Sequence, residues 1–200
     1  MEGFSADQLE SALAKLPSQR HRLAFAAGIS ERLLPNYEVF SREVGWGNPS
    51  LLRSAMDVVW LMVAGGKLRL REIRELQAQI RDLTPDTENF ASRLTSAALD
   101  AASAVHETLE VACRDDAHRV VSIATFASDT VDLFLKERDD MDPNNPLLEQ
   151  RILADPLMSR ELKKQHQELQ LLSRANLDPE FVRRYRDEAR HDGKSNLDLQ

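Results

Sequence analysis

The sequence predicts an all-α fold, a single-domain helical bundle of about eight helices built around a central antiparallel hairpin. Apolar residues recur at three- and four-residue spacings along most of the 200-residue chain. No segment alternates apolar and polar residues as a half-buried strand would, and no unit repeats at a fixed period. Pro, Gly-Gly, Asn-Pro and Asp-Pro punctuate the apolar stripes where helices begin and end. No Gly/Ser-rich or Pro-rich linker divides the chain, so one domain over residues 1–200 is expected, with 193–200 as a polar tail. With 42% hydrophobic residues the core needs neither disulfide nor metal as a staple.

Ser5 followed by Gln8 has the capping-box form, and Leu9, Leu13 and Leu16 give a short first helix ending before Pro17. Ser18 can cap the second, whose Leu23, Phe25, Ile29, Leu33 and Leu34 leave little polar surface and mark a central helix. Pro35 disfavours helical backbone at Leu34 and suits a first turn, so a corner is expected there, with a new helix over Pro35–Val44. Gly45-Trp46-Gly47-Asn48-Pro49 predicts a second corner: Gly45 suits the left-handed position after a helix, Asn48 an N-cap and Pro49 a first turn.

The helix Pro49–Ala64 carries Leu52, Met56, Val59, Trp60 and Val63 on one side and stops at Gly65-Gly66. A short basic helix with Leu70, Ile73, Leu76 and Ile80 follows, up to Thr84-Pro85. Asp86–Cys113 reads as one long Ala-rich helix whose small side chains admit a close neighbour. Asp115 and Asp116 suit the positive end of the next helix, which runs to about Lys136 and completes the hairpin. Asp139–Pro146 is a loop, Leu147–Ser173 is helical with a break at Pro156, and Asp178-Pro179 starts the last helix.

A net charge of −7 repels phosphate and disfavours nucleic acid or an anionic membrane as partner. The local clusters Lys67, Arg69, Arg71, Arg74 and Arg183, Arg184, Arg186, Arg190 read more simply as solvated helix faces. The single Cys113, within an apolar helical run, reads as a small buried hydrophobe in a reducing compartment. The N-terminus has no basic segment followed by an apolar run, and no stretch is long and apolar enough to span a bilayer. A cytoplasmic protein is expected.

Glu31, Arg32, Asn36, Tyr37, Asp57 and Trp60 are the candidate ligand-binding residues, because they bring charge, amide and aromatic groups to the expected corner. As a pocket, Trp60 and Tyr37 would form its wall and Arg32 would receive an anion, held by Asp57 or Glu31. As structure, the same groups would lock the corner by pairing abrupt helix ends and burying Arg32 against a carboxylate.

The residues Glu31-Arg32-x-x-Pro35-Asn36-Tyr37-x-x-Phe40, Gly45-x-Gly47 and Asp57-x-x-Trp60 carry a resemblance to the YjaG-like family of bacterial proteins, a domain of unknown function (DUF416). Weaker matches are Asp100-Ala101, Asn145-Pro146 and Ser195-Asn196; the pair Leu197-Asp198 stands where the family pattern has Ile-Gly. The resemblance implies an all-helical single domain and supplies no catalytic residue or cofactor.

His106-Glu107-Thr108-Leu109-Glu110 lacks the second histidine of a helical zinc site and lies on the wet side of its helix. Asp115-x-x-His118 and Glu188-x-x-His191 have di-iron spacing but lack the core carboxylates such bundles need. No nucleophile elbow or phosphate loop occurs, and His21 and His166 read as surface residues. No metal, cofactor or catalytic residue is therefore expected. A non-enzymatic interaction module with a protein partner is the favoured function, self-association being left open. The alternative is a small-ligand binder or enzyme with its pocket at the Arg32/Asn36/Tyr37/Asp57/Trp60 corner.

Overall fold

A computed structural model describes residues 5–200; residues 1–4, which the leader-sequence argument needs, lie outside that range. The described residues form nine α-helices and no strand: α1 (Ala6–Ala14), α2 (Gln19–Val44), α3 (Pro49–Val63), α4 (Leu70–Asp82), α5 (Thr95–Cys113), α6 (Ala117–Arg138), α7 (Leu148–Ala154), α8 (Pro156–Leu172) and α9 (Pro179–Arg190). The all-α, single-domain expectation stands. Helix α2 is the axis, packing against α3, α5, α6, α8 and α9, and α5 with α6 forms the antiparallel hairpin beside it. Among the described residues no helix is long and apolar enough to cross a membrane.

Most helix ends follow from local chemistry. Ser5 and Gln8 exchange the reciprocal bonds of a capping box. Asn48, Asp116, Asp155 and Asp178 accept backbone N–H groups of the first turns of α3, α6, α8 and α9, three of which begin with proline. Gly45 closes α2 at φ 67°, the left-handed C-cap. The Tyr37 hydroxyl donates to Leu83 O at 2.8 Å and accepts from Asn48 N at 3.4 Å, fixing this corner from inside. It lies where a Cβ on Gly47 would come within 2.5 Å, so residue 47 has no room for a side chain.

The corner expected at Leu34-Pro35 does not form: α2 continues through Pro35 for 26 residues. An interior proline removes one ladder bond and costs about 3 kcal/mol in an isolated helix. Here every residue from Leu23 to Tyr37 is buried. Breaking the rod would expose that surface, so packing overrides the local preference.

A second difference concerns Asp86–Leu94, which is not helical. The Asp86 carboxylate accepts from Glu88 N at 2.9 Å and Asn89 Nδ2 at 3.2 Å, the local bonds that compete with a helix. Phe90 is anchored edge-on against Phe40, with ring centroids 5.2 Å apart, and lies 5.0 Å from Trp46. The long helix therefore starts only at Thr95.

The expected polar tail is docked. Ser195, Asn196 and Leu197 are buried. Leu197 joins a small second core with Val131, Leu135, Ile152, Met158 and Leu162, where the far end of the hairpin meets α7 and α8. Asp198 has φ 62°. This left-handed conformation is one that Asp tolerates better than most side chains.

Candidate ligand-binding groove

The six expected site residues do not share one cavity. Glu31 faces α3 and α9: its carboxylate, with a fully buried side chain, accepts from Trp60 Nε1 at 2.8 Å, from Arg190 Nε at 2.9 Å and from Arg53. Asp57, on the exposed rim of the same face, pairs with Arg186, whose guanidinium lies 6.0 Å from the Trp60 ring centre. Tyr37 closes the Gly45–Pro49 corner. Asn36 is sealed inside, donating Nδ2 to Asn196 Oδ1 at 3.0 Å. Arg32, one residue on from Glu31, points to α8.

Around Arg32 the protein builds a buried ionic layer. Glu161 and Glu168 lie seven residues apart on α8 and so project from one face. Glu161 takes two near-parallel bonds, from Arg32 Nε at 3.0 Å and Nη2 at 2.8 Å, while Arg32 Nη1 reaches Glu168 at 3.1 Å. Between them, Gln165 Nε2 donates to Glu161 at 2.9 Å and to Ala124 O at 3.1 Å, which ties the layer to α6. All four side chains are buried.

Burial alone would drive these groups to neutrality. For Arg32 burial is the largest influence, and Glu161 and Glu168 more than offset it, holding the guanidinium pKa above its ordinary value. For Glu161 burial pushes upward, but Arg32 outweighs it and the pKa falls below the usual carboxylate range. At Glu168 burial wins and the pKa is raised. Tyr185 is raised well above ordinary phenol by burial, with the Glu168 charge adding to it.

Above this layer the packing opens. Helices α8 and α9 both rest on α2, with their backbones set apart from each other. Between them and the Ser195–Asn196 segment lies a cavity of about 200 Å3. Arg32 and Glu161 form its floor, and Arg160, Lys164, Glu188 and Lys194 its rim. Lys164 and Glu188 also border an adjoining shallow recess that reaches Glu168 and Tyr185. The Tyr185 hydroxyl is buried without a hydrogen-bond partner, and it occupies the space left by Gly28, where a Cβ would come within 2.6 Å of it.

Of the expected site residues only Arg32 borders this groove. Sequence reasoning missed Glu161, Gln165, Glu168, Tyr185 and Gly28. A signal existed on α8, where these three polar residues share the face of Leu162, Leu169 and Leu172, at positions a helix usually fills with apolar side chains. Arg183 and Arg184 are exposed, as a solvated face requires, whereas Arg186 and Arg190 are drawn into the Trp60 and Glu31 contacts. Asp115 pairs with Arg22, and Glu107 pairs with Arg119. No cluster of three or more His, Cys, Asp or Glu side chains among the described residues could hold a metal ion. Cys113 is half-buried at the end of α5, and burial raises its thiol pKa. His21 is also half-buried, its ring bonded to Ser18 Oγ and Ala175 O.

Comparison with known proteins gives family but no activity. A crystal structure of a DUF416 family protein from Shewanella baltica OS155 superimposes with a TM-score of 0.86 at 25% identity, covering 100% of both chains. The uncharacterised protein YjaG of Escherichia coli (strain K12) is 21% identical over 189 residues, 94% of this chain and 93% of the relative. The family model for the protein of unknown function DUF416 matches residues 8–200, and the chain belongs to that family.

Proposed function

We propose that the protein binds a small ligand, through a carboxylate or other anionic group, in the groove between α8 and α9. The observation that carries this reading is the lining: Arg32, Arg160, Lys164 and Lys194 gather at one cavity in a chain of net charge −7. The lining also holds Glu161 and Glu188, but Glu161 is neutralised by Arg32, and the remaining excess of positive charge attracts a negative group. At about 200 Å3 the cavity is smaller than the roughly 300–1,000 Å3 of drug-sized sites, which selects a compact ligand. The buried layer beneath holds the floor rigid, because each Arg32 nitrogen already has a carboxylate partner. A reducing, cytoplasmic setting fits the lone thiol Cys113.

Thermal unfolding with acetate, succinate, citrate and phosphate tests the proposal. A ligand at a hundred times its Kd adds about 2.7 kcal/mol, which at this chain length raises Tm by roughly 5–10 °C. Lys164→Glu with Lys194→Glu is expected to abolish the rise. A rise that persists in the double variant places binding elsewhere.

The interaction-module reading has its own observation. Leu61 and Leu70 are 50% and 49% exposed, close in sequence to exposed Lys67, Arg69, Arg71 and Arg74. That surface suits an acidic protein partner. Leu61→Ser with Leu70→Ser is expected to abolish co-purification of such a partner without lowering Tm; unchanged co-purification rejects this reading.

A further inference from the structure

The charges of the groove are of two signs, and most of the positive ones are already engaged. Arg32 is held by Glu161 and Glu168. Arg160 pairs with Asp198 at 2.9 Å and donates to Asn196 O at 3.0 Å, and Lys164 lies 3.8 Å from Glu168. Lys194 and Glu188 differ. Among the described residues neither side chain has an ion-pair or hydrogen-bond partner, and they do not pair with each other, although both line the same cavity.

We infer that the ligand is a small zwitterion of the amino-acid type, with its carboxylate at Lys194 and Lys164 and its ammonium at Glu188. This rests on the proposed groove and adds to it. A plain anion would meet Lys194 but leave Glu188 as a like charge on the cavity wall, which lowers its affinity. An ammonium group turns that repulsion into an attraction, and charge-assisted hydrogen bonds at both ends fix the ligand's direction. The size of the cavity agrees, since about 200 Å3 suits a compact molecule. The adjoining recess shares Lys164 and Glu188, which gives a side chain on the ligand room to extend.

Isothermal titration of the full chain with L-alanine, L-glutamine and 4-aminobutyrate is the test, run beside N-acetyl-L-glutamine, which lacks the ammonium, and L-glutaminamide, which lacks the carboxylate. At least one zwitterion is expected to bind, with either blocked derivative of glutamine about tenfold weaker than glutamine. Glu188→Gln is expected to weaken the zwitterion about tenfold while N-acetyl-L-glutamine binds the variant more tightly than the parent, and Lys194→Gln to weaken both. If N-acetyl-L-glutamine binds as tightly as the parent, the zwitterion inference falls and the anion-binding reading stands. If neither these compounds nor the simple anions bind at about 10 mM, the groove reading falls and takes this inference with it.

Discussion

Asn36 and Asn196, 160 positions apart in the chain, meet inside the protein: Asn36 Nδ2 donates to Asn196 Oδ1 at 3.0 Å. Asn196 uses its other groups as well, its N–H donating to Arg32 O at 3.1 Å and its Nδ2 to Ala127 O at 3.0 Å. The residue next to Pro35 is therefore a receptor for the C-terminal segment. That segment closes one wall of the groove, with Ser195 Oγ accepting from Leu197 N and Leu199 N to hold its turn.

Asn196→Ala leaves Asn36 Nδ2 without a partner in a dry interior and takes from Ala127 O the bond it accepts besides its helical one, about 1 kcal/mol. Each buried polar group so orphaned costs about 1–3 kcal/mol. Urea unfolding is expected to show a loss of about 2–4 kcal/mol. A loss below 0.5 kcal/mol, the range of an ordinary surface substitution, would mean that the segment is not bound where the structure places it.

What the sequence reveals here divides by range. Residues whose partners lie within four positions are readable: the Ser5–Gln8 box, Gly45 as a left-handed cap, and Asn48-Pro49 and Asp178-Pro179 as helix starts. Pro35 misleads because its local preference, worth about 3 kcal/mol, is set against the burial of an entire rod. The C-terminal segment misleads because its polar side chains are satisfied by α2 and α6, which no local pattern reveals. Arg32 could be singled out as a charge inside an apolar helix. Its carboxylates are 129 and 136 residues away, and only the packed fold identifies them.

Glu31 organises the face of α2 that meets α3 and α9, and the separate contributions of its charge and its hydrogen bonds can be measured. Glu31→Gln keeps an acceptor for Trp60 Nε1 but removes the charge facing Arg53 and Arg190. Both arginines retain access to water, so the expected cost is only about 1 kcal/mol. Glu31→Ala also orphans the indole N–H and leaves a void, for about 2–4 kcal/mol. Chemical unfolding followed by tryptophan fluorescence checks the order; equal losses would show that Trp60 gains nothing from this acceptor.

Asp100 on α5 gives a pH prediction. Burial is the main cause that raises its pKa from 3.8 to about 6, opposed by the bond from Thr130 Oγ1 at 2.7 Å and assisted by Asp129. A carboxyl that binds its proton more tightly when folded favours the folded state while protonated. Its stabilising influence is thus lost as pH rises from about 4 through about 6, and above that the ionised group is a net burden. Asp100→Asn is expected to be more stable than the parent at pH 8, and its advantage to shrink by about 1 kcal/mol at pH 5. Urea titrations at the two pH values decide it; an advantage independent of pH would mean that Asp100 ionises as freely in the folded chain as in the unfolded one.

The contact between Gly28 and Tyr185 sets how closely α9 approaches α2, and with it the shape of the groove. A methyl group on Gly28 would lie 2.6 Å from the Tyr185 hydroxyl and 3.5 Å from Glu168 Oε1. Alanine is otherwise the better helix former by about 1 kcal/mol. In Gly28→Ala the steric conflict outweighs that gain, because Tyr185 is buried against Trp60 at 5.8 Å and against Phe181 at 6.0 Å and has little room to retreat. A net loss of about 1–3 kcal/mol is expected. Tyr185→Phe alone removes a hydroxyl that has no partner, so stability is expected to hold or rise slightly. In the double variant the worst contact is gone and the ring Cζ, 3.1 Å from the methyl group, has only to shift slightly, so the two changes are expected to couple favourably by about 1 kcal/mol. A double-mutant cycle by urea unfolding reads the coupling directly, and simple additivity would mean that the tyrosine hydroxyl does not occupy the space the glycine leaves.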